Sequence, residues 1–172
     1  MRGHLSAGEP WRYLIALGSN RRHHRLGRPR EVLAAALERL EREGVRVIAA
    51  APVLPTDPIG PSLRRYANSA AVVETALEPP ALLALVKRVE SDFGRRTGGQ
   101  RWTSRVLDLD LVLWSGGCFS APGLVVPHRL FRTRAFVLDP AVRIAPRWRD
   151  PVTGLTVRQL HARLTRPAAG HR

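Results

Sequence analysis

Val106-Leu107-Asp108-Leu109-Asp110-Leu111-Val112-Leu113-Trp114 is the clearest strand in the chain. Leu107, Leu109, Leu111 and Leu113 recur with the period of two that puts side chains on one face of an extended backbone. Those leucines require a core, so Asp108 and Asp110 are driven to the opposite face, with α-carbons about 6.5–7 Å apart. The stretch before it, residues 95–105, is polar, contains Gly98-Gly99 and carries Arg95, Arg96, Arg101 and Arg105, so it is expected to be a mobile loop.

Further upstream the same reading continues. Pro79-Pro80 opens a helix whose Leu82, Leu85, Val86, Val89 and Phe93 share one face, and Gly94 ends it. Tyr66 to Thr75 and Val45 to Val53 read as strands, separated by a proline-punctuated loop that runs to Arg65. Pro29 to Gly44 is a helix with Val32, Ala35, Ala36 and Leu40 at helical spacing. Before it, Tyr13 to Leu17 is a buried strand stopped by Gly18-Ser19-Asn20, and Arg21 to Arg28 is a basic loop. Downstream of Trp114 the pattern is less regular until Thr156-x-x-Gln159, a capping box that starts a last helix.

Strand, helix, strand, strand, helix, strand is the order of an α+β, ferredoxin-like antiparallel sheet, with helices packed on one face and the other face open to ligands. The 172 residues suit one domain, expected over 12–165, with flexible tails at 1–11 and 166–172. Apolar stretches are too short to span a bilayer, and residues 1–10 lack the apolar core of a secretory signal. Cys118 is the single cysteine, which excludes an internal disulfide and makes the cytoplasm the expected compartment. A formal charge of +14 has two readings: attraction to nucleic acid, or a compositional bias, since 28 basic residues include only one lysine, Lys87.

Two carboxylates on one strand face repel each other unless a cation lies between them, and hard oxygen ligands suit Mg²⁺ together with substrate phosphates. An exposed face whose aspartates give solubility or pair with arginines is the other reading. A glycine-hinged, arginine-rich segment beside the pair favours phosphate chemistry, because mobile cations meet the charge that shifts in a phosphoryl-transfer transition state. No Walker A sequence is present and Lys87 lies inside a helix, so side chains and metal must hold the phosphates. Trp102, between Arg101 and Arg105, can close over a flat ligand.

Ala16-Leu-Gly-Ser-Asn20, Tyr66-Ala-Asn68, Glu90 to Gly94, Arg101-Trp-x-x-Arg-x-Leu-Asp-Leu-Asp110, Val126-Pro-His128, Arg134-x-Phe-Val-Leu138 and Ile144-Ala-Pro146 occur in that order. Together they resemble the 6-hydroxymethyl-7,8-dihydropterin pyrophosphokinases of folate synthesis. The resemblance implies a ferredoxin-like fold and transfer of the β,γ-pyrophosphate of ATP to the pterin hydroxymethyl oxygen, leaving AMP. It implies that Asp108 and Asp110 bind two Mg²⁺ ions and that Arg95 and Arg105 are catalytic loop arginines. ATP would meet Glu90, Arg101, Trp102, Leu111, His128 and Arg134. The pterin would lie between Tyr66 and Phe136, its edge read by Asn68 and Thr56, with Trp102 closing over it. Arg96 beside Thr97, and Thr103-Ser104, depart from the family pattern.

Small-molecule substrates, a monomer, and neither nucleic acid nor membrane as partner follow from this reading. A ferredoxin-like RNA-binding module is the alternative, motivated by charge and an open sheet face. It lacks an aromatic-rich strand, and two aspartates on that face would repel a phosphate backbone.

Overall fold

The computed structural model describes residues 9–56, 66–94 and 106–166. β1 (Trp11–Ser19) leads through α1 (Pro29–Arg42) to β2 (Arg46–Ala50), β3 (Leu54–Thr56) and β4 (Tyr66–Thr75). α2 (Pro79–Asp92) follows, then β5 (Asp108–Trp114), a small hairpin of β6 (Phe119–Ala121) and β7 (Leu124–Val126), a 3-10 turn at Phe131–Thr133, and the helices α3 (Ala135–Ile144) and α4 (Val157–Thr165). The main sheet runs β2-β4-β1-β5, all antiparallel, the strand order of a ferredoxin-like unit. β4 is long enough to take β2 along one half of its outer edge and β3 along the other.

Alternation sorts the sheet residues between two cores. Tyr13, Ile15 and Leu17 of β1, Ala71 and Val73 of β4, and Leu107, Leu109 and Leu111 pack with α1 and α2. Leu14, Ala70, Val72, Val112 and Leu113 face the other way, onto Phe131, Val137, Leu138 and Leu160. Each fully buried leucine or valine contributes roughly 1.5–3 kcal/mol of transfer free energy, so both layers are required for stability.

Several expectations change here. The second sheet face is open only in part, because α3 and α4 cover one end of it. Sequence alternation missed α3 because Pro140 interrupts its interior, where the missing N–H removes one helical hydrogen bond. Leu113 does not share a side with Leu107, Leu109 and Leu111: the register with β1 slips between Leu14 and Ile15, so Ile15 faces Leu111, Leu14 faces Leu113, and Val112 is the extra residue of a bulge. The strand read over residues 45–53 is shorter, and Leu54–Thr56, read as loop, adds a short edge strand where proline is tolerated. β1 begins at Trp11, within the stretch expected to be tail.

Candidate active site

Two rows of paired residues cross the partly open face. In one, Gly18 of β1 lies between Asn68 of β4 and Asp108 of β5; in the next, Ala16 lies between Ala70 and Asp110. Cross-strand partners point to the same side, so Asn68 and Asp108 flank a floor of glycine and alanine. The floor must be small. A Cβ on Gly18 would sit 3.2 Å from Asn68 Oδ1, closer than ordinary packing allows. Tyr66, two residues before Asn68, lies half-buried on the same face, and its backbone pairs with Thr56.

The β5 bulge sets the other wall. The His128 amide donates to the Val112 carbonyl at 3.0 Å, which brings the segment after β7 alongside the aspartates. His128 Nε2 stands 3.9 Å from Asp110 Oδ2, and an Arg134 Nη stands 4.0 Å from the same oxygen. His128 Nδ1 accepts the Leu130 amide at 3.2 Å, so a neutral ring carries its proton on Nε2, facing Asp110. Burial holds the His128 pKa below its ordinary value; Arg134 pushes the same way, while Asp110 and Asp108 oppose both. Arg134 in turn lies over the Phe136 ring, 5.5 Å from its centroid.

The structure thus gathers Tyr66, Asn68, Asp108, Asp110, His128, Arg134 and Phe136 around one face. It sets two candidates apart. Leu111 points into the α1/α2 core and is 4% exposed, so its side chain is turned away from the aspartates. Glu90 is 0% exposed on α2, where Oε1 accepts the Leu109 amide at 2.7 Å and Oε2 pairs with Lys87 at 3.2 Å. That amide lies between the two aspartates in sequence, so Glu90 holds the strand that presents them. Arg95, Arg96, Thr97, Arg101, Trp102, Thr103, Ser104 and Arg105 lie outside the described residues, as does the Thr56 side chain.

The carboxylates fit Mg²⁺. Asp110 is about one-third exposed, so water and phosphate oxygens can reach it. Among the described residues no group of three or more His, Cys, Asp or Glu comes together, so a metal here would complete its shell with those oxygens.

An antiparallel α+β sheet that presents two carboxylates, a histidine and an arginine beside a small-residue floor is the kind of site that suits an enzyme of phosphate transfer to a small acceptor. The chain belongs to the 7,8-dihydro-6-hydroxymethylpterin-pyrophosphokinase (HPPK) family, whose model matches residues 14–146. It is 39% identical over 142 residues to the 2-amino-4-hydroxy-6-hydroxymethyldihydropteridine pyrophosphokinase of Pseudomonas aeruginosa, covering 81% of this chain and 84% of that protein. The Methylorubrum extorquens protein of the same name is 38% identical over 156 residues, 89% of this chain and 93% of that one. The Bacillus subtilis protein is 31% identical over 158 residues, 91% of each. A Plasmodium falciparum HPPK-DHPS structure matches in fold with a TM-score of 0.70 at 12% identity, over 94% of this chain and 47% of that one.

Proposed function

We propose that Asp108 and Asp110 hold two Mg²⁺ ions against the triphosphate of ATP, across the Gly18 floor from a pterin slot formed by Tyr66, Asn68 and Phe136. The reaction is the family's: the hydroxymethyl oxygen of 6-hydroxymethyl-7,8-dihydropterin attacks the β-phosphorus, the bond to the α-phosphate oxygen breaks, and AMP leaves. Bound magnesium supplies charge neutralisation on the phosphates. The observation that carries the assignment is the row Asn68–Gly18–Asp108, which sets an amide able to donate and accept one small residue away from a carboxylate.

The protein's part is positioning. Tyr66 and Phe136 offer aromatic faces to a flat ring, and Asn68 reads its edge. His128 donates from Nε2, and Arg134 adds a fixed charge, so both face ATP phosphate oxygens near Asp110. Arg95 and Arg105 act as the loop cations, and Arg101 and Trp102 close the loop. Leu111 meets the nucleotide through its backbone, and Glu90 acts by holding β5. The Thr56 region meets the pterin edge. We infer a single domain over 12–165 that works as a monomer in the cytoplasm; none of the described helices is long and apolar enough to cross a membrane.

The alternative RNA-binding reading finds no support, since part of the sheet face it needs is covered by α3 and α4. The test is product analysis with Mg²⁺, ATP and the pterin. AMP with a diphosphorylated pterin is expected, and Asp108→Ala or Asp110→Ala should nearly abolish both. ADP as the product, or full activity in Asp110→Ala, would refute the reading.

A further inference from the structure

A buried ion pair ties the C-terminal part of the chain to the segment bearing His128 and Arg134. Asp150 is 0% exposed, and Arg132 donates to both its oxygens, from Nε at 2.7 Å and from Nη2 at 2.7 Å. The Thr153 hydroxyl donates at 2.6 Å and the Val152 amide at 3.1 Å. A carboxylate withdrawn from water is costly unless its lone pairs are filled, and four donors fill these.

Asp150 is anchored independently of Arg132. Its amide donates to Leu155 O at 2.9 Å and its carbonyl accepts the Gly154 amide at 2.8 Å. The Arg149–Thr156 bridge then leads into α4, whose Thr156–Gln159 capping box fixes the helix start. Arg132, by contrast, sits in a three-residue 3-10 turn with long backbone bonds, 3.2 Å from the Phe131 amide to His128 O and 3.3 Å from the Arg134 amide to Phe131 O. Such a turn is a weak brace by itself. Its guanidinium lies 4.7 Å from the Phe131 ring centroid, and Phe131 is fully buried.

We propose that Arg132 and Asp150 are positioning residues for ATP: their bidentate pair fixes the turn whose two ends are His128 and Arg134, and so sets both side chains beside Asp110. The proposal rests on the reading of His128 and Arg134 as nucleotide contacts. Neither member of the pair touches substrate. Loosening the turn displaces two phosphate contacts, while Tyr66 and Asn68 stay on β4 and Phe136 stays packed by α3 against the second core, so the effect falls mainly on ATP.

The test uses the full chain. Binding of a non-hydrolysable ATP analogue with Mg²⁺ is measured by calorimetry, and KM for ATP and for the pterin by steady-state kinetics, for Asp150→Asn, Arg132→Gln and the double variant Arg132→Met/Asp150→Leu. The double variant leaves no unpaired buried charge and guards against loss of folding. Each folded variant should bind the analogue about tenfold more weakly, with pterin KM little changed, since small misplacements of contact groups cost that much or more. Tyr13→Phe, at the far end of β1, loses a hydrogen bond to Leu77 O and lowers the melting temperature without weakening the analogue. Unchanged analogue affinity in the folded pair variants, while Arg134→Ala weakens it, overturns the positioning role alone. Unchanged affinity in Arg134→Ala as well overturns the nucleotide reading and the proposal with it.

Discussion

The His128 amide donates to the carbonyl of Val112, the extra residue of the β5 bulge. A regular antiparallel edge would carry that carbonyl in the pleat repeat of its neighbours; the bulge re-aims it. One inserted residue thereby does two things. It turns Leu113 into the α3/α4 core, and it draws His128 to within 3.9 Å of Asp110. Deleting Val112 should leave Leu113 opposite Leu14 in the same core by plain alternation, but it removes a buried valine side chain and the carbonyl that accepts the His128 amide, so stability should fall by about 1.5–3 kcal/mol. Urea denaturation of the deletion variant measures it, and near-wild-type stability would show that the slip is unimportant.

Gly18 tests the floor. Its backbone is not in the left-handed region, so Gly18→Ala adds a methyl without backbone strain. That methyl presses on Asn68 Oδ1. Overpacking of this kind costs about 1–3 kcal/mol, and here it acts on the side chain that reads the pterin edge. Fluorescence titration should show weaker pterin binding, with affinity for the ATP analogue close to wild type. Loss of both affinities equally would point to a general disturbance of the sheet.

Much of this was legible in the sequence, for physical reasons that differ by element. Leu107, Leu109 and Leu111 gave the strand and the aspartate face because alternation has a single geometric meaning when one side must be buried. α3 was illegible because Pro140 masks its period, and the Val112 bulge because a run of apolar residues looks the same with or without one slip. Gly18 reads from sequence as a turn residue, yet its use is as floor between Asn68 and Asp108. No local signal pairs Arg132 with Asp150, since an 18-residue separation says nothing of contact. Glu90 and Leu111 were placed by family resemblance alone, and burial turns both side chains inward.

Glu90 offers a measurement of how the aspartate strand is held. Glu90→Ala leaves the Leu109 amide buried without its acceptor, at a cost of about 1–3 kcal/mol. Glu90→Gln keeps an acceptor oxygen and should lose less. Because the freed amide sits between Asp108 and Asp110, Glu90→Ala should also weaken Mg²⁺-dependent binding of the ATP analogue. Denaturation and titration of the two variants check the order; equal effects from Ala and Gln would mean the charge matters more than the hydrogen bond.

Ligand-linked stability isolates Asp110. A ligand that binds only the native state raises stability by RT ln(1 + [L]/Kd), about 2.7 kcal/mol at a hundred times Kd. Mg²⁺ with the ATP analogue should therefore raise the melting temperature of the wild type, and chelation by EDTA should remove the rise. Asp110→Asn should fold as well as the wild type, because Asp110 is partly exposed and, among the described residues, meets His128 and Arg134 at no closer than 3.9 and 4.0 Å, yet it should lose most of the Mg²⁺-dependent shift.

Asp150 gives the pH dependence. Burial raises its pKa, but the Arg132 guanidinium, the Thr153 hydroxyl and the Val152 amide together outweigh burial and hold it below the usual aspartate value of 3.8. The native state therefore binds this proton less readily than the unfolded chain, whose carboxyl titrates near the ordinary value. The stability this group contributes is complete above that unfolded value and is lost as pH falls through the depressed native one. Stability of the wild type should thus drop more steeply below about pH 4 than that of Asp150→Asn, which has no carboxyl to protonate. At neutral pH the wild type is the more stable of the two, since the variant has already lost the charge that Arg132 faces, and the gap narrows as pH falls. Urea midpoints from pH 7 down to about pH 2 measure the difference. Parallel curves for the two proteins would mean that Asp150 keeps an ordinary pKa in the native state, and that the four donors around it do not act on its charge.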